Sequence, residues 1–535
     1  MKRATWVVGL VIAPLLASSC TSTPKKAVAT NKFVLRTDAA SKPVRALTWN
    51  LGYEPTSLDP VKAADYSENQ VLANLCESLQ KIQPDLTFAN GLAKATNPQP
   101  TRWVYDIVPQ AHFWDGHPVM AEDVAYSLNR NLDPKLGSYY SFYYRNVAKI
   151  VATGARQVTV TLKKPDYVFN EGMGSAAGAI VERADAVKRG VSLGTPNGGL
   201  MCSGPFELGG WKPGTSLLIT QNSSYWRPQG KAKAGSITFS FLSDDTAQTN
   251  AFTSGSINGE YQVPFSAVDR LKSTSSGKLY LGQSLIVYNL VVAAKDGPLA
   301  NPKVRQALSR AIDRDAIART VFSGAAVPAR NLVTKASYGY GKEVFGKGYE
   351  KAGPIPFDPA GAKKLLKGIP LRTIVFAYPT GGPSYNNQVA LAVQSAGKSI
   401  GLQVVLKGVP NAKYQSDFFA PEVTKGVDLE ELSWYIDGPE PLVMYEQFLP
   451  GLSPYNVSGY NNPAANDLIN EAAATAEPNA RAALVVEVEK QIAKDLPWIP
   501  VVEEANTLFV DKKYGGMPAA FVQNAYPWGA DVAGR

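Results

Sequence analysis

The chain has 535 residues, 45% of them hydrophobic, which is ample for a large core divided among two to four domains. A mean hydropathy of -0.13, with no second long apolar run after the amino terminus, excludes a polytopic membrane protein. The net charge of +9 is spread along the chain and forms no Lys/Arg stripe, so we expect no binding to nucleic acid.

The amino terminus is typical of an exported protein. Lys2 and Arg3 precede an apolar run too short to span a bilayer, which predicts a signal peptide over residues 1–19. Small residues then lead directly to Cys20, in an arrangement that resembles a bacterial lipobox. We therefore expect lipidation of Cys20 and anchoring at the extracytoplasmic face of the cell membrane. The alternative is an ordinary signal peptide followed by a chance cysteine. Residues 20–43 are polar and predict a lipidated flexible linker.

The other two cysteines form an even pair once Cys20 is assigned to lipid. In an oxidising compartment this predicts a disulfide between Cys76 and Cys202, with two buried free thiols as the alternative. Neither cysteine has the spacing of a metal or redox site, and His112 and His117 are the only histidines. We therefore expect no metal site made by the protein and no cofactor.

The first half of the chain contains clear local signals. Alternating apolar residues predict a strand at 47–51, and the apolar spacing over 66–79 predicts a helix that carries Cys76. The stretch 139–144 is unusually aromatic, which favours packing, with the lining of a cleft as the alternative.

In the second half, helical signals are stronger. Residues 301–322 predict one helix with Asn301 as its cap and Pro302 in its first turn. Helix and strand patterns then alternate between residues 359 and 406, which implies an α/β lobe.

Six stretches, taken together, resemble the solute-binding proteins of peptide- and nickel-type ABC importers, solute-binding protein family 5. They are PTSLDP at 55–60, FWDGHPVMAEDV at 113–124, GPF at 204–206, NSSYW at 222–226, VRQAL with AIDR at 304–314, and PWIP at 497–500. They follow the family's order and extend over nearly the whole mature chain.

The resemblance implies a two-lobed α/β fold of the periplasmic-binding-protein type II kind, with an extra subdomain inserted in lobe one. On that basis we expect lobe one at 44–290, with the insert at about 80–200, lobe two at 291–504, and a return to lobe one at 505–535. The disulfide would then join the two ends of the insert.

The resemblance also implies a ligand site. In peptide-binding members an acidic residue in a W-x-x-D segment takes the α-amino group of the ligand, and Trp434 and Asp437 match that segment. Trp434 would be an aromatic wall and Asp437 the ionic anchor. The alternative is a packed Trp434, with Asp437 in a turn before Gly438. Tyr53 and Glu54, just before the first family stretch, are peripheral candidates.

One departure from the family affects specificity. Dipeptide-specific members place an arginine for the ligand carboxylate in the loop that corresponds to residues 378–384, and this chain has none there. A clamp for dipeptides is therefore not expected, and longer peptides or another solute are favoured.

The function implied is that of a non-enzymatic, monomeric receptor. It captures a solute, a peptide by preference, by closure of its lobes and delivers it to ABC permease subunits with cytoplasmic ATPases. The alternatives are an oligosaccharide or metal chelate as cargo, a sensor without transport, and, more distantly, a secreted hydrolase using Glu430, Glu431 and Asp437.

Overall fold

The computed structural model describes residues 33–411, 413–414, 425–451 and 456–535. The expected signal peptide at 1–19, Cys20 and the first part of the expected linker lie outside these ranges. None of the helices within them has the length and apolar character that a membrane span requires.

A mixed seven-stranded sheet is the framework of the first lobe. Its strands lie in the spatial order Gly277–Gly282, Asn506–Asp511, Gly259–Tyr261, Leu47–Asn50, Ser236–Ser240, Ser216–Gln221 and Phe206–Lys212. Leu47–Asn50 runs parallel to both of its neighbours, and the other pairs are antiparallel. The buried ring of Trp49 lies with its centroid 4.5 Å from that of Trp528, so the end of the chain packs on this sheet.

A six-stranded sheet is the framework of the second lobe. Its strands lie in the order Ala326–Pro328, Trp498–Glu504, Ile286–Val292, Leu429–Tyr435, Ile374–Thr380 and Val404–Pro410. The last two are parallel and are joined by helix Ser384–Ser399, which is the βαβ unit expected from the sequence. Every residue of the central strand Ile286–Val292 is buried, as is usual for a strand covered on both faces.

The chain crosses between the two sheets at residues 283–285 and again at residue 505. The lobe boundary that we expected at residue 290 therefore falls inside a strand of the second sheet, Ile286–Val292, which pairs along its whole length with Leu429–Tyr435. A continuous apolar run does not reveal which sheet it joins, because its periodicity is the same in either.

Residues 80–200 form sheets of their own. Gln80–Ile82 pairs with Phe88–Asn90, and a four-stranded antiparallel sheet has the order Ala93–Gln99, Arg102–Ile107, Gln157–Leu162 and Val147–Gly154. Cys76 and Cys202 are joined as a disulfide with their Cα atoms 4.9 Å apart. The N–H of Gly204 donates to the carbonyl of Leu75 at 2.8 Å, so the chain segments entering and leaving this region are adjacent.

The helices cover both sheets and the 80–200 region. The α-helices that the structure describes in full are Tyr66–Leu75, Ala121–Asn129, Val168–Gly172, Arg183–Arg189, Asp245–Ser254, Val268–Lys272, Pro302–Ala311, Arg314–Thr320, Lys342–Ala352, Pro359–Leu366, Ser384–Ser399, Leu442–Tyr445, Pro463–Ala474, Pro478–Asp495 and Trp528–Asp531. Short 3-10 helices are Arg130–Leu132, Ser141–Tyr144, Ala176–Gly178, Gly190–Ser192, Pro228–Gly230, Phe265–Ala267, Pro298–Ala300, Lys335–Ser337 and Glu446–Phe448. Tyr514–Gly515 and Ala533–Gly534 form a small two-stranded sheet.

The single helix expected over 301–322 is two helices. Asn301 caps the first through its side chain, as expected, but that helix ends at Ala311. Asp313 then caps a second helix by accepting from the N–H of Ala316. The buried guanidinium of Arg314 donates to the carbonyls of Ser309 and Pro500, which fixes the break against the neighbouring strand. The apolar stripe continues across the break, so periodicity alone does not show it.

The described part of the expected linker, residues 33–43, is bound to the body. The N–H of Val34 donates to the Leu281 carbonyl at 2.8 Å, and that of Thr37 to the Met517 carbonyl at 3.0 Å. The N–H of Lys42 donates to the Gly534 carbonyl at 3.0 Å. The assignment of 33–43 to a flexible linker was therefore wrong. The composition of residues 33–43 does not indicate these contacts, because the residues that they contact lie hundreds of positions away in the sequence.

Candidate ligand-binding site

The two lobes meet where a strand of the second sheet ends against a helix of the first lobe. Tyr435 is the last residue of strand Leu429–Tyr435, and Tyr66 is the first residue of helix Tyr66–Leu75. Their ring centroids are 4.7 Å apart, and the Tyr435 hydroxyl donates to the carbonyl of Ala64 at 3.2 Å. The residues around the end of this strand are therefore placed between the lobes.

One edge of this strand is only partly paired. It pairs with Ile374–Thr380 only through Leu429 and Glu430, and beyond them the hydroxyl of Tyr414 bonds both backbone groups of Glu431. Because backbone groups alternate in direction along an antiparallel pair, those of Ser433 and Tyr435 point to the same side as those of Glu431. No hydrogen bond to them on that side comes from the residues that the structure describes. An extended ligand can therefore pair there.

Asp437 lies two residues beyond this edge. It is half-buried, and its Oδ2 is 3.4 Å from the hydroxyl of Tyr143, which belongs to the 80–200 region. Burial raises the pKa of Asp437 to about 7, and the bond from Tyr143 opposes part of that rise. Within the described ranges no Lys or Arg pairs with it. The arrangement suits a cationic group supplied from outside the protein.

Trp434 faces the other side of the strand. Side chains alternate between the two faces, so Trp434 points away from the face that carries Ser433 and Tyr435. Its half-buried ring is nearly perpendicular to that of Trp498, with the centroids 6.1 Å apart. The same alternation places Glu430 and Glu431 on opposite faces, so these neighbours do not form the carboxylate pair of the hydrolase hypothesis.

The two peripheral candidates lie on the first lobe. Tyr53 is 38% exposed, and its hydroxyl accepts from the N–H of Ser67 at 3.4 Å, beside the helix that begins at Tyr66. The carboxylate of Glu54 accepts from the indole N–H of Trp211 at 2.8 Å and from the N–H of Gly214 at 2.9 Å. Tyr53 is thus brought near the interlobe residues, whereas both oxygens of Glu54 are engaged within the first lobe.

The aromatic stretch at 139–144 serves mainly for packing. Tyr140 and Tyr144 are buried and donate to the carbonyls of Ala63 and Ala177, at 2.7 and 2.6 Å. Tyr143 is also buried, but its hydroxyl reaches Asp437. The aromatic stretch is evident in the sequence. The contact between Tyr143 and Asp437 is not, because these two residues are 294 positions apart.

Two further carboxyl groups lie on the face of Ser433. The sequence suggested Glu431 only for the hydrolase alternative, and it did not suggest Glu504. Glu431 accepts from the hydroxyl of Tyr288, and Glu504 accepts from the hydroxyl of Ser433 at 2.7 Å. Burial raises the pKa of Glu504 to about 7 and holds that of Glu431 well above its ordinary value. The only sequence signal is that acidic residues occur within or directly after apolar strand residues, at 429–435 and 498–504.

One surface group has side chains of the metal-ligating type. Asp115, His117 and Glu182 have ligand atoms within 4.8 Å of one another in the part of the chain that the structure describes. The Nδ1 of His117 is 2.8 Å from Asp115 and 3.3 Å from Glu182, which raises the pKa of His117, first through the hydrogen bond with Asp115. The group has the contacts of a charged surface cluster.

Comparison of the sequence with known proteins identifies a family. Residues 87–456 match bacterial extracellular solute-binding proteins, family 5 (middle region). The chain is 26% identical over 472 residues to the glutathione-binding protein GsiB of Shigella flexneri, covering 85% of this chain and 88% of GsiB.

Solved structures show the same fold. The oligopeptide-binding protein AppA of Bacillus subtilis, in complex with a nonapeptide, has a TM-score of 0.76 at 18% identity and covers 92% of this chain and 100% of its own. AgaA of A. tumefaciens, in complex with agropinic acid, has a TM-score of 0.78 at 23% identity, with coverages of 92% and 99%. The two-lobed α/β fold expected from the sequence is confirmed. The chain belongs to the bacterial extracellular solute-binding proteins, family 5.

Proposed function

We propose that this protein is the receptor of an ABC importer and that it captures a peptide with a free amino terminus between its lobes. The observation that carries the proposal is Asp437. It is a half-buried carboxylate between the lobes that contacts Tyr143 and pairs with no Lys or Arg in the described ranges. A peptide ammonium group there makes a charge-assisted hydrogen bond shielded from water.

The strand edge beside Asp437 favours a peptide over other cations. The backbone of Ser433 and Tyr435 is directed at the site, and an extended peptide adds to such an edge through main-chain hydrogen bonds that any sequence can make. Two similar chains support a peptide: AppA has been solved in complex with a nonapeptide, and GsiB is a glutathione-binding protein. An opine such as agropinic acid, as in AgaA, is the alternative type of solute.

The remaining features of the proposal follow from this role. Binding energy is spent on closing the lobes, the closed body docks on permease subunits, and the protein carries out no bond chemistry. Cys20 carries the lipid anchor that holds a monomeric body at the extracytoplasmic face of the cell membrane. The sequence pattern before Cys20 supports this anchor.

Thermal unfolding of the purified protein with peptides of three to eight residues tests the proposal. A ligand that binds only the folded state raises the midpoint, by about 2.7 kcal/mol of stability at a hundredfold excess over its Kd. Free peptides should raise the midpoint and N-acetylated versions of the same peptides should not. Equal shifts for both would remove Asp437 as the amine anchor. Shifts with opines, sugars or chelates alone would overturn the peptide proposal.

A further inference from the structure

The strand face beside the proposed peptide edge carries carboxyl groups that the capture of an amino terminus does not use. Glu431 is 2% exposed and Glu504 is 5% exposed. Glu504 accepts from the hydroxyl of Ser433, and Glu431 accepts from that of Tyr288 through one oxygen only. The other oxygen of Glu431 is buried, and no group in the described ranges donates to it.

Within the described part of the chain, no cation is paired with these two groups. Among the described residues, no Lys or Arg forms an ion pair with Glu431 or Glu504. Buried carboxylates are normally paired with a cation, bound to a metal or protonated, because an isolated buried charge is very unfavourable. Burial raises the pKa of both groups and so favours their protonated form in the unliganded protein. An ammonium or guanidinium group of a peptide on the adjacent strand edge supplies the cation that the protein does not.

Aromatic rings complete the surroundings. Tyr288 and Tyr385 have ring centroids 6.0 Å apart, and the charges of both Glu431 and Glu504 act on Tyr385. The charge of Glu504 also acts on Tyr66, across the junction of the lobes. Rings combined with carboxylates are suited to ammonium and guanidinium groups, which the ring faces attract.

The first lobe has an infrequent backbone conformation close to Tyr66. Gln262 has a φ of 62°, a conformation that residues other than glycine adopt infrequently, and its side chain opposes part of the rise that burial causes in the pKa of Tyr66. Backbone of this kind tends to occur at ligand-binding sites.

We propose that the face formed by Glu431, Ser433 and Glu504 is a subsite for a positively charged side chain, so that the preferred solute is a cationic peptide with Lys or Arg near its amino terminus. The inference rests on the proposed peptide function. Ser433 lies four residues before Asp437 along the same chain, and strands advance about 3.3 Å per residue. The charged side chain therefore belongs to one of the first few residues of a peptide whose amino group is at Asp437.

Isothermal titration with pentapeptides of alanine tests the subsite. Lys, norleucine or Glu is placed in turn at positions two, three and four. At one position Lys should bind at least about tenfold more tightly than norleucine, which has nearly the same length without the charge. Glu at that position should bind more weakly than norleucine.

A matched pair of variants locates the effect. Glu504→Gln should reduce the preference for Lys over norleucine to about twofold or less. Glu503→Gln is the control, because Glu503 is 6% exposed, has a pKa raised by burial to about 7, and bonds Tyr349 on the opposite face of the same strand. It should leave the preference unchanged. Glu431→Gln is a second test should Glu504→Gln fail to fold, as judged by its thermal unfolding.

The outcomes separate this inference from the proposed function. Equal affinity for Lys and norleucine peptides, with dependence on a free amino terminus retained, overturns the cationic subsite and leaves the receptor function standing. The protein could instead bind spermidine and no peptide. If that binding requires Glu504, the cation subsite is retained and the proposed peptide function is overturned. Absence of binding for every peptide and for spermidine overturns both.

Discussion

Two groups of buried or half-buried carboxylates in this protein have opposite surroundings. In the first group, Glu446 pairs with Arg145, which also lies 3.4 Å from Asp166. Glu171 similarly lies 3.4 Å from Arg481. In the second group, Asp437, Glu431 and Glu504 contact only hydroxyl groups of Tyr or Ser. All of them lie away from bulk water, but only the first group has its counter-charge built into the chain.

Glu503 also lacks a cation but lies on the opposite face of its strand, so a candidate ligand-binding charge needs both the missing cation and a position beside the partly paired strand edge. Arg145 and Arg481 join residues of the 80–200 region to residues beyond 440, so these ion pairs fix how the regions pack. Removing one partner of such a pair leaves a buried charge uncompensated. The second group has no such partner to lose, and in the proposed function its counter-charge comes from the ligand. Stability and affinity should therefore respond to different substitutions.

The largest effect is expected from Arg145→Met. It leaves Glu446 and Asp166 without their cation, which should lower the free energy of unfolding by about 3 to 5 kcal/mol, measured by urea denaturation. Arg183→Met is the control, because its pair with Glu122 is exposed and should contribute about 1 kcal/mol or less. Equal loss in the two variants would contradict the structural role of the first group.

Asp437→Asn should weaken ligand binding without lowering stability, which is the reverse of the effect expected from Arg145→Met. Affinity for a peptide with a free amino terminus should fall by about 2 kcal/mol or more, because the charge-assisted bond is lost in a shielded site. The stability of the unliganded protein should stay the same or rise, since an unpaired buried carboxyl group is removed. Titration calorimetry and urea denaturation measure the two quantities. A variant that loses stability and keeps its affinity would place Asp437 in the structural group.

Part of the pH dependence of stability should come from the second group, beside other buried carboxyl groups such as Glu446 and Glu503 whose pKa is also raised by burial to about 7. The pKa values of Asp437 and Glu504 are raised to about 7, whereas unfolded carboxyl groups titrate near 4. As the pH rises from about 4 to 7, the unfolded chain releases protons that the folded protein retains, so the free energy of unfolding falls. The loss is complete above about pH 8.

Urea midpoints at pH 5 and pH 8 check this dependence. The unliganded protein should be more stable at pH 5, and Asp437→Asn or Glu504→Gln should each flatten the profile by up to roughly 1.4 kcal/mol per unit of pKa shift. A profile that is unchanged in both variants would show that these groups are ionised in the folded protein.

The smallest effect is expected from Glu54→Gln. Glu54 bonds Trp211 and Gly214 within the first lobe, so the change should cost about 1 kcal/mol of stability and alter peptide affinity less than twofold. Titration calorimetry on this variant and on Asp437→Asn compares the two residues directly. A loss of affinity as large as that in Asp437→Asn would return Glu54 to the ligand site.

Local signals in the sequence determined a good deal. Six short stretches in order identified the family, and the W-x-x-D segment predicted a ligand role for Asp437 that stays a prediction. Alternation predicted the strand that became Leu47–Asn50, and Asn301 before a proline predicted a helix start. These features depend on residues close together in the chain, where dihedral preference, periodicity and capping act.

Only the tertiary structure decided what surrounds the site. Tyr143 reaches Asp437 across 294 positions, and Ser433 reaches Glu504 across 71. The same holds for the binding of residues 33–43 to the body and for the crossing between sheets at 283–285. The local sequence around an acidic residue in an apolar strand does not show whether an arginine, a hydroxyl group or a ligand faces that residue. Its partner is set by strand register and lobe packing, which join segments far apart in sequence.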